Sequence, residues 1–370
     1  MIEFDKLLLG ASLDNVFNKI EQSNQKINTL FSNYEQQLTD SSRYSLLYIQ
    51  QTNYSKLYEY KKAYESVNII LDKYSRLLGD DEIEDLKNTN LIWKALAGQP
   101  KQTIVVKEHT VLKVKLDKAN LSNLEITQGK KKIDFIFDTG ANISTVTQST
   151  AKKLKMKMMQ GEIDVTSITG IKIKSGIAVC PEIKLGGIII KNAVFLVFPD
   201  EALAVPQIKF QINGIIGFPI IEALNEVQIT QSGEFIVPKT QTVYENLNMA
   251  LDFLTPVIEL NGESYSFDSG ADETMLYNTY YNKHKNSIDG KYEETDYRFG
   301  GAGGSITKKG YYIPFNTIID GKDVILEKVI VFKDKIKDEE SDLYGNIGQD
   351  LIKKFQKLTL NFELMFIKFD

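Results

Sequence analysis

Apolar residues in the first hundred positions recur at helical spacing. Phe17, Ile20, Ile27, Phe31, Tyr34 and Leu38 follow one another at three-, four- and seven-residue steps, the stripe of an amphipathic helix. Two further clusters continue it: Leu46, Leu47, Tyr54, Leu57 and Tyr58, then Ala63, Tyr64, Val67, Ile70, Leu71 and Tyr74. Gly79-Asp80-Asp81 reads as a stop and a new helix start, with Glu82 and Glu84 suited to the positive helix end. Residues 1 to about 97 hold no proline, and Gly98-Gln99-Pro100 ends the pattern.

From about residue 102 the grammar changes to short segments with the alternation or apolar density of strands. These are Thr103–Val106, Thr110–Leu116, Ile133–Phe137, Ile171–Ile173, Ile188–Ile190 and Ala193–Phe198, then Tyr311–Ile313, Val324–Leu326, Val329–Phe332, Leu358–Leu360 and Leu364–Phe369. Ser149 to Met158 reads as a short helix, with Lys152, Lys153, Lys155 and Lys157 on a solvated face. The β pattern lapses between Pro238 and about Asn248, the expected connection between two halves. The fold class is therefore α+β, with a helical domain over 1–100 and β-rich units over 101–245 and 246–370.

The two halves share a motif. Asp138-Thr139-Gly140-Ala141-Asn142-Ile143-Ser144 and Asp268-Ser269-Gly270-Ala271-Asp272-Glu273-Thr274 both read Asp-[Ser/Thr]-Gly-Ala-[Asn/Asp]-x-[Ser/Thr], each after an aromatic residue, Phe137 or Phe267. Gly170 lies 30 residues after Gly140, and Gly300 lies 30 after Gly270. Ile215-Ile216-Gly217 ends 77 residues after Gly140, and Asn346-Ile347-Gly348 ends 78 after Gly270. The period of about 130 residues is the size of a domain, longer than any solenoid unit.

A repeated acidic loop has a physical use. Glycine at 140 and 270 permits a close backbone approach, and alanine beside it keeps the loop slim. The Thr139 and Ser269 hydroxyls both donate and accept, so each can brace the opposite loop across a pseudo-twofold axis. Asp138 and Asp268 then project together. At about 3 Å and an effective dielectric near 20, two full charges would repel by about 5–6 kcal/mol, so the pair should hold one proton near neutral pH. The unprotonated member can take a proton from water while the other polarises a carbonyl.

Composition narrows the alternatives. A net charge of −5 argues against a nucleic-acid binder, which carries a basic surface. One cysteine, Cys180, forms no intrachain disulfide, and His109 and His284 stand far apart with no metal-ligand spacing; no metal or cofactor is expected. No run approaches a membrane-spanning length. Met1-Ile2-Glu3-Phe4-Asp5 is unlike a secretory signal, so the compartment reads as cytoplasmic for the chain as it stands, and as periplasmic or secreted if an export signal has been removed. The glycines of 300–304 are followed by no Lys-Ser/Thr and no helix signal, which disfavours a phosphate cradle. Tyr277, Tyr280 and Tyr281 are expected to pack the helix after the second motif, and Trp93 to anchor the helical region to the first β unit.

The duplicated motif, the hydrophobic-Gly elements and the spaced glycines resemble the retropepsin-like aspartic proteases, above all the bacterial two-lobed type, over roughly 102–370. The resemblance implies an acid-protease pseudo-dimer that hydrolyses peptide bonds with a water held between Asp138 and Asp268. Proton sharing between two such carboxyls is the known behaviour of that class. It further implies that Thr139 and Ser269 brace the dyad and that Gly140 and Gly270 accept substrate backbone bonds. Ala141, Ala271, Asn142 and Asp272 would line the cleft, and each Ile-Gly element would pack beneath its own acidic loop. Flaps would centre near Ile168-Thr169-Gly170 and near Phe299–Gly304, with Gly300 and Gly301 facing substrate. Retroviral members follow the hydrophobic-Gly pair with an arginine, where this chain has Phe218-Pro219 and Gln349-Asp350. The expected partner is a peptide or protein substrate, and with both halves on one chain a monomer is expected. The alternative function is a catalytically inactive module of the same fold that binds peptides or partner proteins. The nine-residue step from Tyr54 to Ala63 resembles a tetratricopeptide helix pair beside the plainer reading of a helical bundle, and either could recruit a protein partner.

Overall fold

The computed structural model describes residues 3–167, 169–336 and 342–370. Its first hundred residues form α1 (Glu3–Val16), α2 (Ile20–Asn33), α3 (Asp40–Lys56), α4 (Tyr60–Lys73) and α5 (Asp80–Leu96). Thr39 caps α3 by accepting from the Ser42 N–H at 3.1 Å, and α5 begins at the expected restart, with three acidic residues in its first turn. A repeat runs through these helices. The α1–α2 and α3–α4 corners turn on Asn18 and Tyr58, both in the left-handed region (φ 57° and 55°). Tyr34 and Tyr74, equally spaced, each precede a short 3-10 turn. The seam between the hairpins is polar: Asn53 donates to Ser23 Oγ at 2.9 Å and to Asn24 Oδ1 at 3.0 Å, and accepts from Asn15 at 2.8 Å. Trp93 is buried, stacks on Tyr60 and donates to Gln51 Oε1 at 3.2 Å. Its polar and ring contacts thus stay within the helices. The apolar cluster around it does continue into the first β unit through Ile163, Ile173 and Val194.

The β-rich remainder repeats one arrangement. Strand Lys131–Phe137 pairs antiparallel with Ser122–Gln128 and parallel with Gly214–Ile216. The latter strand runs antiparallel to Thr145–Thr147, itself parallel to Ile188–Phe198. In the second half Glu263–Phe267 pairs antiparallel with Thr255–Leu260 and parallel with Gly345–Ile347. That strand runs antiparallel to Met275–Leu276, itself parallel to Lys322–Phe332. A third sheet takes strands from both halves, pairing Glu226–Thr230 with Lys357–Asn361. One apolar cluster joins the two halves beneath the motif strands. Phe137 packs on Phe235 (ring centroids 5.1 Å apart) and Phe267 on Phe369 (6.2 Å), so the aromatic residue before each motif anchors its loop to the core.

Four sequence expectations need correction. The run Thr110–Leu116 is two strands, Thr110–Lys113 and Lys115–Leu116, which pair in different sheets. The helix expected over Ser149–Met158 is α6 (Gln148–Lys153) only; Lys155 turns the chain at φ 47°, and Lys157–Thr166 is a strand. Ile188–Ile190 and Ala193–Phe198 are one strand, as are Val324–Leu326 and Val329–Phe332. Ser122–Gln128, which shows only partial alternation, is a strand as well.

Two β-hairpins project from the sheets. The first joins Lys157–Thr166 to Lys172–Leu185, and the second joins Glu294–Gly301 to Gly304–Ile319. The first lies against α5, where the Asp164 N–H donates to Asn88 Oδ1 at 3.2 Å and Lys172 pairs with Glu84 at 2.7 Å. The helices also reach α7 (Phe218–Glu222), which follows Gly217 directly. Both repeat corners touch it: Asn18 donates to Glu222 Oε1 at 3.0 Å, and the Tyr58 hydroxyl donates to the Pro219 carbonyl at 2.9 Å. Among the described residues no helix is long and apolar enough to cross a membrane.

Candidate active site

Each motif loop leaves a strand that ends on its aromatic residue, and a parallel neighbour holds the turn. The Asp138 N–H donates to the Ile216 carbonyl at 3.1 Å, and the Asp268 N–H to the Ile347 carbonyl at 2.9 Å. The hydrophobic-Gly elements therefore lie directly beside their own acidic loops. A Cβ on Gly217 would lie 2.6 Å from the Ala141 oxygen, and one on Gly348 would lie 2.6 Å from the Glu273 carbonyl carbon, so no larger residue fits either place. The last motif position completes the lock: Ser144 Oγ accepts from the Gly217 N–H at 3.0 Å, and Thr274 Oγ1 from the Gly348 N–H at 3.1 Å. The motif recorded a Ser or Thr there, but only the fold reveals its partner.

The two loops interlock. The Thr139 N–H donates to Ser269 Oγ at 3.1 Å, and the Ser269 N–H donates to Thr139 Oγ1 at 2.9 Å. Each hydroxyl then donates across to the strand before the other motif, Thr139 to the Phe267 carbonyl at 2.9 Å and Ser269 to the Phe137 carbonyl at 3.0 Å. Thr139 is 1% exposed and Ser269 0%, so these bonds are made away from competing water.

This lock brings Asp138 and Asp268 together. Their carboxyls face one another across the two loops, and each accepts from a loop N–H: Gly140 to Asp138 Oδ1 and Gly270 to Asp268 Oδ1, both at 2.8 Å. A Cβ on Gly140 would lie 2.6 Å from Asp268 Cγ, and one on Gly270 would crowd Asp138 more closely still. Burial pushes the Asp138 carboxyl well above the usual carboxylate range, and the Asp268 charge beside it pushes the same way. Such a pair carries one proton over a range of pH.

The Ala141 and Ala271 carbonyls are engaged internally, by the Phe218 and Gln349 N–H groups at 2.8 and 2.9 Å. Asn142 and Asp272 are exposed, and Asn142 Oδ1 accepts from the Thr255 hydroxyl of the other half at 3.2 Å. Gly170 lies at the turn of the first hairpin, beside Ile168, which falls outside the described residues. Gly300 and Gly301 end the rising strand of the second hairpin. That hairpin reaches the first half: the Gly303 N–H donates to the Ala202 carbonyl at 2.9 Å, and a Cβ at Gly303 would lie 2.7 Å from Ile173 Cδ1. In the arginine places, Gln349 donates to the Ser269 carbonyl at 2.8 Å, and Asp350 accepts from the Thr274 N–H at 2.9 Å. A polar pair thus braces the second loop, whereas apolar Phe218 fills the equivalent place in the first.

One residue near the dyad escaped the sequence reading. Asn346 donates to Asp268 Oδ2 at 3.0 Å. Its only sequence signal was its poor fit to the hydrophobic-hydrophobic-Gly pattern.

An aspartyl protease family model matches residues 122–220. The match takes in the first motif, the first hairpin and Ile215-Ile216-Gly217, and it ends before the second motif. No curated protein matches the chain.

Proposed function

We propose that the chain is a two-lobed aspartic endopeptidase, with lobes over 101–245 and 246–370 and a helical domain over 1–100. The observation that carries this reading is the reciprocal bonding of Thr139 and Ser269, which leaves two carboxyls in contact at the seam between the halves. The family match over the first motif supports the same chemistry.

In this mechanism a water lies between the two carboxyls. The ionised aspartate takes one proton from it while its oxygen attacks the scissile carbonyl. The protonated aspartate gives its proton to the carbonyl oxygen, which yields a neutral tetrahedral diol. Collapse of the diol transfers a proton to the leaving nitrogen, breaks the C–N bond and restores the single shared proton. No covalent intermediate forms. An extended peptide would run between the two hairpins and add strand-like hydrogen bonds to them, with Asn142 and Asp272 at the cleft edge. The helices would recruit or orient the protein substrate.

Unfolded protein substrates incubated between pH 3 and 8, with and without a statine-type inhibitor, test this. Inhibitor-sensitive cleavage is the expected result. Peptide binding with no inhibitor-sensitive cleavage at any pH would establish the inactive binding module instead.

A further inference from the structure

We propose that Asn346 is a positioning residue that holds Asp268 as the ionised member of the dyad and leaves the shared proton on Asp138. The assignment rests on the dyad reading above and goes beyond it by making the two aspartates unequal.

The inequality begins in strand register. In the first half the residue two before the catalytic aspartate, Ile136, stands opposite Ile215. The equivalent pair in the second half is Ser266 opposite Asn346. One pair is aliphatic and offers the carboxyl nothing; the other is polar and buried, with Ser266 6% and Asn346 3% exposed. Ser266 Oγ donates to Asn346 Oδ1 at 2.6 Å, which turns the amide so that Nδ2 meets Asp268 Oδ2 at 3.0 Å. With the amide reversed, Oδ1 would face Oδ2, and only a protonated Asp268 could satisfy it. With Ser266 donating to Oδ1, the amide stands in the orientation that favours a carboxylate at Asp268.

Asp268 consequently accepts from the Gly270 N–H and from the Asn346 side chain, whereas the groups that donate to Asp138 are backbone N–H groups, those of Gly140 and Ala141. Among the described residues, the titratable groups facing Asp268 are Asp138, from the opposite loop, and the Tyr277 phenol. Burial pushes that phenol up to about 12, so it stays neutral wherever the dyad titrates. Asp268 then becomes the group that deprotonates water, and Asp138 the group that protonates the carbonyl oxygen.

The test reads ionisation directly, without relying on turnover. Aspartate side-chain carboxyls are labelled with carbon-13 and titrated by NMR, with Asp138→Asn and Asp268→Asn identifying the dyad signals. Asn346→Leu keeps the shape and removes the donor, and Ser266 still has the Gly345 carbonyl within 3.2 Å. The lower ionisation of the dyad should rise by roughly one to two pH units, the strength of one charge-assisted hydrogen bond, and the acid limb of kcat/KM should move with it. Ser266→Ala, which only frees the amide to turn, should give a smaller shift in the same direction. An unchanged lower ionisation in both variants overturns the assignment, whatever their activity. A shifted ionisation in a protein that cleaves nothing upholds the role of Asn346 and refutes the peptidase reading alone.

Discussion

Thr139 and Ser269 each donate a backbone N–H to the other's hydroxyl, at 3.1 and 2.9 Å, and this exchange joins two loops 130 residues apart in sequence. Thr139→Val keeps the shape but strands the Ser269 N–H and the Phe267 carbonyl in a buried site. Each unsatisfied group costs about 1–3 kcal/mol, so the variant should lose about 2–4 kcal/mol of stability, whereas Thr139→Ser should keep most of it. Urea unfolding of the two variants checks this. A Thr139→Val protein as stable as the parent would contradict the interlock.

Gly140 and Gly270 are needed for space rather than for backbone freedom, because neither lies in the left-handed region. An added methyl at either would meet the opposite carboxyl. Gly140→Ala and Gly270→Ala should therefore fold and melt near the parent temperature, yet lose at least about a hundredfold in kcat/KM through displaced carboxyls. Activity within a few-fold of the parent would show that the close approach does not matter.

The dyad should cost stability. Asp138 has an ordinary value of 3.8, raised well above that in the fold. Between those limits the folded protein holds a proton that the unfolded chain has released, so stability falls as pH rises through the window. Asp138→Asn removes this loss. The variant should be the more stable protein at pH 7, with the difference shrinking as pH approaches about 4. Thermal melts across that range test the sign, and a difference that grows on acidification would refute it.

Lys56 in α3 is 8% exposed, and its Nζ has no hydrogen-bond partner among the described residues. It lies 5.9 Å from the centroid of the Phe218 ring. Burial lowers its ammonium from 10.5 to about 8, against the pull of the Glu222 carboxylate. Between those values the unfolded chain keeps a proton that the folded protein has lost, so stability rises with pH there, and below about 8 the full cost of the buried charge remains. Lys56→Met should stabilise the protein by about 1–3 kcal/mol at pH 7, and the gain should fade toward pH 10. Glu222 keeps its bond from Asn18 at 3.0 Å. A less stable variant at pH 7 would mean that the ammonium serves the contact between α3 and α7.

The dyad was legible in the sequence because its parts are local and duplicated. In each half the core-anchoring phenylalanine, the aspartate and the bracing hydroxyl occupy three consecutive positions, 137–139 and 267–269. Asn346 was not legible as a ligand of Asp268, since its role depends on standing across from Ser266, 80 residues earlier. The helical repeat was only partly visible. Asn15, Ser23, Asn24 and Asn53 bury a polar seam that a search for apolar stripes passes over. The lysine-rich run after Ser149 looked helical by composition, but Lys155 adopts a left-handed turn and Met158 and Met159 continue into a strand.

The most direct measurement is kcat/KM for Asp138→Asn, Asp268→Asn and the double variant on one peptide substrate. If the two carboxyls act as one unit around one proton, each single change should cost at least about a thousandfold, and the double variant should lose little more than either. A single variant that retains activity within about tenfold of the parent, or losses that multiply as for independent groups, would contradict the shared dyad.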